Sequence, residues 1–263
     1  MAIQFHHWPS KVANILVYVT LLSGNLYSTF GRHEDDGTDS PYDSKHRSYI
    51  TPAPFTFYIW TLMHLLLGGM VIFQWFTDKV DQAVGWHFVF ASIFNAIWLA
   101  LWTSGHTILA LFALFLATGA VSFIYYRLKE QDSAETILDV IFLHLPFSLY
   151  HAWIFVLLII NLFAVLSPAH EGGPSTFHTV LSIAGLGFVA STVIGYIEYK
   201  QGDVAGALVL AWYMFGVFAE QKDVPAIHWT ALGLGIAVAA YTLKPFVLRL
   251  FGRSSGETAP LLG

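Results

Sequence analysis

The sequence predicts an all-α polytopic membrane bundle of about eight transmembrane helices, and three observations lead there. Of the 263 residues, 56% are hydrophobic and 11% charged, whereas a soluble domain carries about 25% charged residues. Hydropathy divides the chain into eight apolar segments separated by short polar links. One of these, Pro52 to Phe76, has no charged residue at all, and as a helix it is long enough to cross a hydrocarbon core of roughly 30 Å.

The same composition excludes other classes. The net charge of −5 is concentrated in connecting loops, and no basic face suited to nucleic acid appears. With no cysteine there is no disulfide, no thiolate nucleophile and no thiolate metal site. The opening residues, with His6, His7, Trp8, Pro9 and Lys11, run into an apolar segment without a small-residue cleavage pattern, which predicts a retained first helix.

Taken in order, the first span is expected from about Val12 to Thr29, carrying Asn14 and Asn25. A polar loop from Arg32 to Ser48 follows, rich in Asp, Gly and Ser, and reads as a lid or a tether. Pro52 and Pro54 mark the start of the second helix, because proline wastes no N–H there and its φ is already helical. Phe57, Trp60 and His64 then fall along one side of that helix at spacings of three and four. That stripe is either an aromatic packing face or the wall of a ligand pocket. The third span is expected at about Ala83 to Thr103, with a tight Ser104-Gly105-His106 hairpin into the fourth, about Ile108 to Leu128. The fifth, Ile137 to Leu166, contains Pro146, which removes a helical hydrogen bond and predicts a short interfacial helix leading into a kinked span. The sixth is expected at about Thr176 to Tyr199. The seventh, Val204 to Ala219, is short enough to lie flat or tilt little, and the eighth is Ala226 to Leu250 with Lys244-Pro245 near its end. Small residues at every fourth position, Gly187, Ser191 and Gly195, then Ala231, Gly235 and Ala239, mark helix-packing faces.

All four asparagines, Asn14, Asn25, Asn95 and Asn161, fall inside expected spans, so their amides should bond across helices. Asp, Glu, Lys and Arg stay away from span centres, which argues against a proton-coupled pump. On an unkinked helix His144 and His151 share a face about 10 Å apart, too far to ligate one metal. No zinc-protease, serine-hydrolase or paired-carboxylate pattern occurs in a span, so no enzyme is expected.

With eight spans, Lys11, Lys79, Arg127, Lys129, Lys200, Lys244, Arg249 and Arg253 collect on one side, against Arg32, Lys45, Arg47 and Lys222 on the other. The positive-inside bias then places both termini in the cytosol. There the tail residues Glu257, Leu261 and Leu262 fit an acidic dileucine sorting signal, read by cytosolic adaptors and pointing to a vacuolar or endolysosomal membrane.

Three ordered motifs carry a resemblance. Thr51-Pro52-Ala53 leads through Phe57 to Ile59-Trp60. Asn95 is followed by Trp98 and Trp102. Leu145-Pro146-Phe147-Ser148 is followed by Tyr150 and Trp153, with Asn161 beyond. In this order they resemble the translocator protein / tryptophan-rich sensory protein family, and more closely its longer branch with additional C-terminal spans. His64 stands where that family has a tyrosine, and the Pro146 to Asn161 spacing is longer than in compact members. The resemblance implies a five-helix bundle over residues 1–167 enclosing a pocket beneath the loop between helices one and two. Three further spans would occupy 168–250, and a cytosolic tail 251–263. It also implies porphyrins, sterols and other hydrophobic molecules as ligands. A tetrapyrrole is the cofactor-like ligand entertained, with no metal site of the protein's own.

The leading expectation is therefore a non-catalytic membrane protein whose pocket is lined by Trp60, His64, Asn95, Trp98, Pro146, Tyr150 and Trp153. Its expected partners are the bilayer, a hydrophobic small molecule, a second copy of the chain and sorting adaptors. The alternatives are a transporter or channel gated by the loop 30–51, and a scaffold that uses only its packing faces.

Overall fold

The computed structural model describes residues 8–30, 46–131 and 134–250, and among them the chain is helical with a single isolated antiparallel bridge between Ser48 and Pro168. Most of the loop from Arg32, and the sorting motif at Glu257, Leu261 and Leu262, lie outside the described residues.

Helix α1 spans Trp8–Phe30. A 3₁₀ turn, Pro54–Tyr58, opens α2, Ile59–Phe73. Pro52 lies outside that helix, in an extended strap; only Pro54 starts it, because Ala53 is already in a polyproline-like conformation and its neighbours bond elsewhere. A short α3, Lys79–Ala83, precedes α4, Gly85–Thr103. Gly105, at φ +83°, turns the chain directly into α5, Thr107–Gln131, the left-handed residue that a hairpin of this length requires.

The fifth predicted segment is one helical run of 30 residues, Ile137–Leu166. It begins as α6, Ile137–Asp139, with a capping box in which Thr136 and Asp139 satisfy each other's backbone N–H groups. It continues through a π turn, Val140–His144, into α7, Leu145–Leu166. The expected kink at Pro146 is absorbed by that wider turn: Leu145 donates to the Val140 carbonyl five residues back, immediately before the residue that cannot donate. The sixth segment is α8, Thr176–Ser191, joined at Thr192 to α9, Val193–Glu198. Then come α10, Val204–Glu220, and α11, Pro225–Thr242, which bends by 41° into α12, Lys244–Leu250, next to Pro245.

All eight predicted segments are thus helical. Among the described residues five helical runs are long and apolar enough to cross a membrane, and the bent α11–α12 pair makes a sixth when it is taken as one span. Helix α10, at 17 residues, is apolar but shorter.

Helix α7 is the centre. It packs against α2, α5, α8 and α10, while α4 lies between α1 and α5. Phe147, Tyr150, Ala152, Trp153, Ile154 and Val156 on α7 are fully buried. The seventh segment, expected to lie flat or tilt little, is α10, which packs against α7 and α11 with Ala207, Leu210, Tyr213, Met214 and Val217 fully buried. Its small side chains permit this. At Gly216 an added Cβ would sit 2.1 Å from Thr56 Oγ1, so only glycine allows the contact.

The two small-residue faces differ. Ala231 and Gly235 are buried, with Gly235 against Phe215 and Met214 of α10. By contrast, among the described residues nothing lies within 4 Å of a Cβ placed at Gly187 or Gly195, and Ser191 is exposed, so none of them packs on that face.

Polar contacts mark two ends of the bundle. At one end Ser10 bonds Asp81, Lys79 pairs with Asp139 at 3.0 Å, Lys129 Nζ donates to the Gly202 carbonyl at 2.9 Å, and Lys244 pairs with Glu198. At the other, Arg47 pairs with Glu220 at 3.0 Å and Asn161 Nδ2 donates to the Thr107 carbonyl at 3.1 Å.

Candidate ligand-binding site

Helices α2, α4 and α7 each contribute one stripe of side chains to the space between them. Phe57, Trp60 and His64 come from the start of α2, Asn95, Trp98 and Trp102 from α4, and Tyr150, Trp153, Leu157 and Asn161 from α7. On each helix the spacing of three or four residues keeps these side chains on one face. The stripes meet as a ladder of rings. Phe57 meets Trp153 edge-on at 5.5 Å, Trp60 meets Tyr150 edge-on at 6.0 Å, and Trp60 stacks on His64 at 5.6 Å. Trp98 and Trp102 follow one another at 6.2 Å. Offset and edge-on contacts at these distances are the favourable ones for aromatic quadrupoles.

At the end carrying Arg47 the ladder opens into a narrow, partly enclosed cleft. Its walls are Phe57, Trp98, Trp102, Leu157, Ile160 and Asn161, and its lip is His46, Arg47 and Thr51. Of the seven residues expected to line a pocket, Trp98 alone borders this cleft. Trp60, His64, Asn95, Tyr150 and Trp153 gather beneath it in the core, and Pro146 is buried near the start of α7, away from the lining.

The polar atoms of this inner group are unevenly satisfied. Asn95 Nδ2 donates to the Tyr150 hydroxyl at 2.9 Å, and Trp98 Nε1 donates to Asn161 Oδ1 at 3.1 Å. Buried without a partner are Trp60 Nε1, Trp153 Nε1, Asn95 Oδ1, Ser92 Oγ and both ring nitrogens of His64. An indole N–H can only donate, the amide oxygen can only accept, and a neutral imidazole does one of each. Leaving such a group unpaired in the interior costs about 1–3 kcal/mol. Native interiors contain few, so several gathered beneath one cleft make this part of the core a candidate for a guest that supplies their partners.

The predicted interhelical role is visible at three of the four asparagines. Asn14 donates to Gln74 Oε1 at 3.0 Å, Asn95 reaches Tyr150, and Asn161 joins α7 to both Trp98 and Thr107. Asn25 donates within its own helix to the Leu21 carbonyl.

Sequence reasoning expected the pocket beneath the loop between the first two helices but named none of its lip residues. Trp102, Leu157 and Asn161 continue the stripes already recognised and follow from helical spacing. His46, Arg47 and Thr51 carry no such signal, because their place depends on where the strap docks.

A second polar group lies at the opposite end, between α5, α7 and the α9–α10 turn. The buried Asp203 carboxylate caps α10 by accepting from Gly206 N at 2.9 Å, and it also accepts from Ser148 Oγ. Beside it the His151 ring lies flat on Tyr125 at 4.1 Å and its Nδ1 is 2.7 Å from the Tyr196 hydroxyl. Position near a span end hid Asp203 from the sequence reading; the fold buries it. Among the described residues no group of three or more His, Asp or Glu side chains is arranged to hold a metal.

Neither the curated proteins nor the solved structures include a significant match. The sequence profile of the TSPO-like protein family, however, matches residues 11–244. That range takes in all but the first three residues of α1, every helix from there to α11, the aromatic ladder and the strap together. The chain is therefore a membrane protein of the TSPO-like protein family.

Proposed function

We propose that this is a non-catalytic binding protein for a hydrophobic, tetrapyrrole- or sterol-like molecule, held between α2, α4 and α7. One observation carries the reading: an aromatic cleft leads to a core where the indole N–H groups of Trp60 and Trp153, both His64 nitrogens and Asn95 Oδ1 are buried without partners. A flat, largely apolar guest with a few polar atoms that enters from the cleft and parts these rings would satisfy those groups, which is how small-molecule sites combine burial with orientation.

In this reading the chain crosses the bilayer eight times, with both termini cytosolic. The end holding Lys11, Lys79, Lys129 and Lys244 faces the cytosol, following the positive-inside bias. The cleft then opens on the opposite face of a vacuolar or endolysosomal membrane.

The test is a titration of the purified protein in nanodiscs with protoporphyrin and with a sterol, following tryptophan fluorescence. Saturable quenching that weakens at least tenfold in Trp98→Ala and Trp153→Ala is expected. Equal affinity in both variants and the parent protein would remove the assignment.

A further inference from the structure

The lip of the cleft is irregular backbone, and what satisfies it is α10. Between Arg47 and Thr56 the chain makes neither a long helix nor a sheet, so its carbonyl groups need partners from elsewhere. Non-helical backbone at membrane depth is tolerated only where protein or water supplies those partners. Gln221 Nε2 donates to the Thr51 carbonyl at 3.0 Å, the Tyr213 hydroxyl to the Ile50 carbonyl at 2.9 Å, and Trp212 Nε1 to the Thr56 carbonyl at 2.9 Å. In return Ala53 N donates to the Gly216 carbonyl at 3.0 Å, and Glu220 pairs with Arg47 at 3.0 Å. Thus α10 meets the strap from one end of its range to the other. On its far side the strap is held by the turn after α7, where Ala169 N donates to the Arg47 carbonyl at 2.8 Å and His170 N to the Tyr49 hydroxyl at 3.0 Å.

The strap contributes Arg47 and Thr51 to the lip, and Phe57, one residue past Thr56, to the wall. We infer that α10 is a clamp on the mouth of the cleft, with Trp212, Gln221 and Glu220 as positioning residues that set how readily the strap lifts to admit or release a guest. Tyr213 and Gly216 form the buried hinge side of the same contact: Tyr213 is fully buried, and Gly216 lets α10 approach Pro52 and Thr56. Glu220 and Gln221, at the end of α10, are partly exposed, so water can replace their bonds when the strap moves. Opening therefore costs less at these two than at a fully buried contact.

The kinetic role of the clamp rests on the ligand-binding reading, whereas the motion of the strap does not, and the experiment separates the two. The chain has no cysteine, so Leu157→Cys places one thiol on the cleft wall. In nanodiscs, its labelling by a water-soluble maleimide reads opening of the mouth with no ligand present. The accompanying changes are Gln221→Met and Trp212→Phe, which remove a donor each and keep most of the bulk. Each should raise the labelling rate roughly fivefold, the change expected for one hydrogen bond. A thiol placed at the exposed Gln201 in the turn between α9 and α10 (Gln201→Cys) should label at an unchanged rate. In stopped-flow mixing with protoporphyrin, the association and dissociation rates should rise together, with the equilibrium affinity changed far less.

Faster labelling with no porphyrin binding by any variant would keep the clamp and remove the ligand reading. Labelling of the Leu157→Cys thiol unchanged by both substitutions would overturn the clamp. Should the double change lower the melting temperature sharply, Gln221→Met alone decides, since Gln221 is the milder site and must still speed labelling.

Discussion

Trp98 on α4 donates its indole N–H to Asn161 Oδ1 on α7 at 3.1 Å, while the Asn161 amide donates to the Thr107 carbonyl at the start of α5, also at 3.1 Å. One side chain therefore ties three helices at the wall of the cleft. Asn161→Leu should leave Trp98 Nε1 buried and unpaired, costing about 1–3 kcal/mol. Thermal melting in detergent should fall accordingly, and a melting temperature equal to the parent's would show that the amide contributes nothing net.

His64 presents the opposite case. Both of its ring nitrogens are buried without partners beneath Trp60, so the imidazole burdens the unliganded fold. His64→Phe keeps a ring in the stack and removes the unpaired atoms. The variant should melt at or above the parent's temperature by an amount corresponding to about 1 kcal/mol, while porphyrin affinity falls. Lower stability together with unchanged affinity would contradict this account of the site.

Gly216 tests the closeness of α10 to the strap. A valine there must displace Thr56 Oγ1, 2.1 Å from the Cβ position, and Pro52, at 3.0 Å. Overpacking of this kind costs about 1–3 kcal/mol. Gly216→Val should lower the melting temperature, and Gly187→Val, whose Cβ meets nothing within 4 Å, should not. Equal effects at the two glycines would argue against the close approach.

Asp203 joins the end of the bundle opposite the cleft. Asp203→Ala removes the α10 cap and the acceptor for Ser148, and a lost cap alone costs about 0.5–2 kcal/mol. Asp203→Asn keeps a cap acceptor, so its melting temperature should lie between those of the alanine variant and the parent. An asparagine variant as unstable as the alanine variant would show that the charge, not the cap, is what matters.

The helices were legible because apolar length is a strong signal in a sequence whose polar links are short. Ile137–Leu166 appears within the predicted bounds, and the pairing of Trp98, Tyr150 and Asn161 follows from asparagines that must bond across helices. The aromatic stripes were legible for the same reason, since helical spacing alone puts Phe57, Trp60 and His64 on one side. The form of the Pro146 distortion was not, because a missing N–H can be met by a kink or by a wider turn. In this chain it is the wider turn, with Leu145 donating to the Val140 carbonyl.

By itself the sequence determined the membrane-spanning helical class, the order of the helices and the aromatic faces they would turn inward. These follow from hydropathy and a fixed residues-per-turn geometry, which are local properties. Only the tertiary structure decided that α10 stands buried against α7 and that its side chains satisfy the strap's carbonyl groups. It also decided that Arg47 and Thr51 form the lip and that Asp203 is enclosed. Each of these depends on which distant backbone group is left without a partner, and the chain supplies that partner some 160 residues away, as Trp212 does for Thr56 and Tyr213 for Ile50.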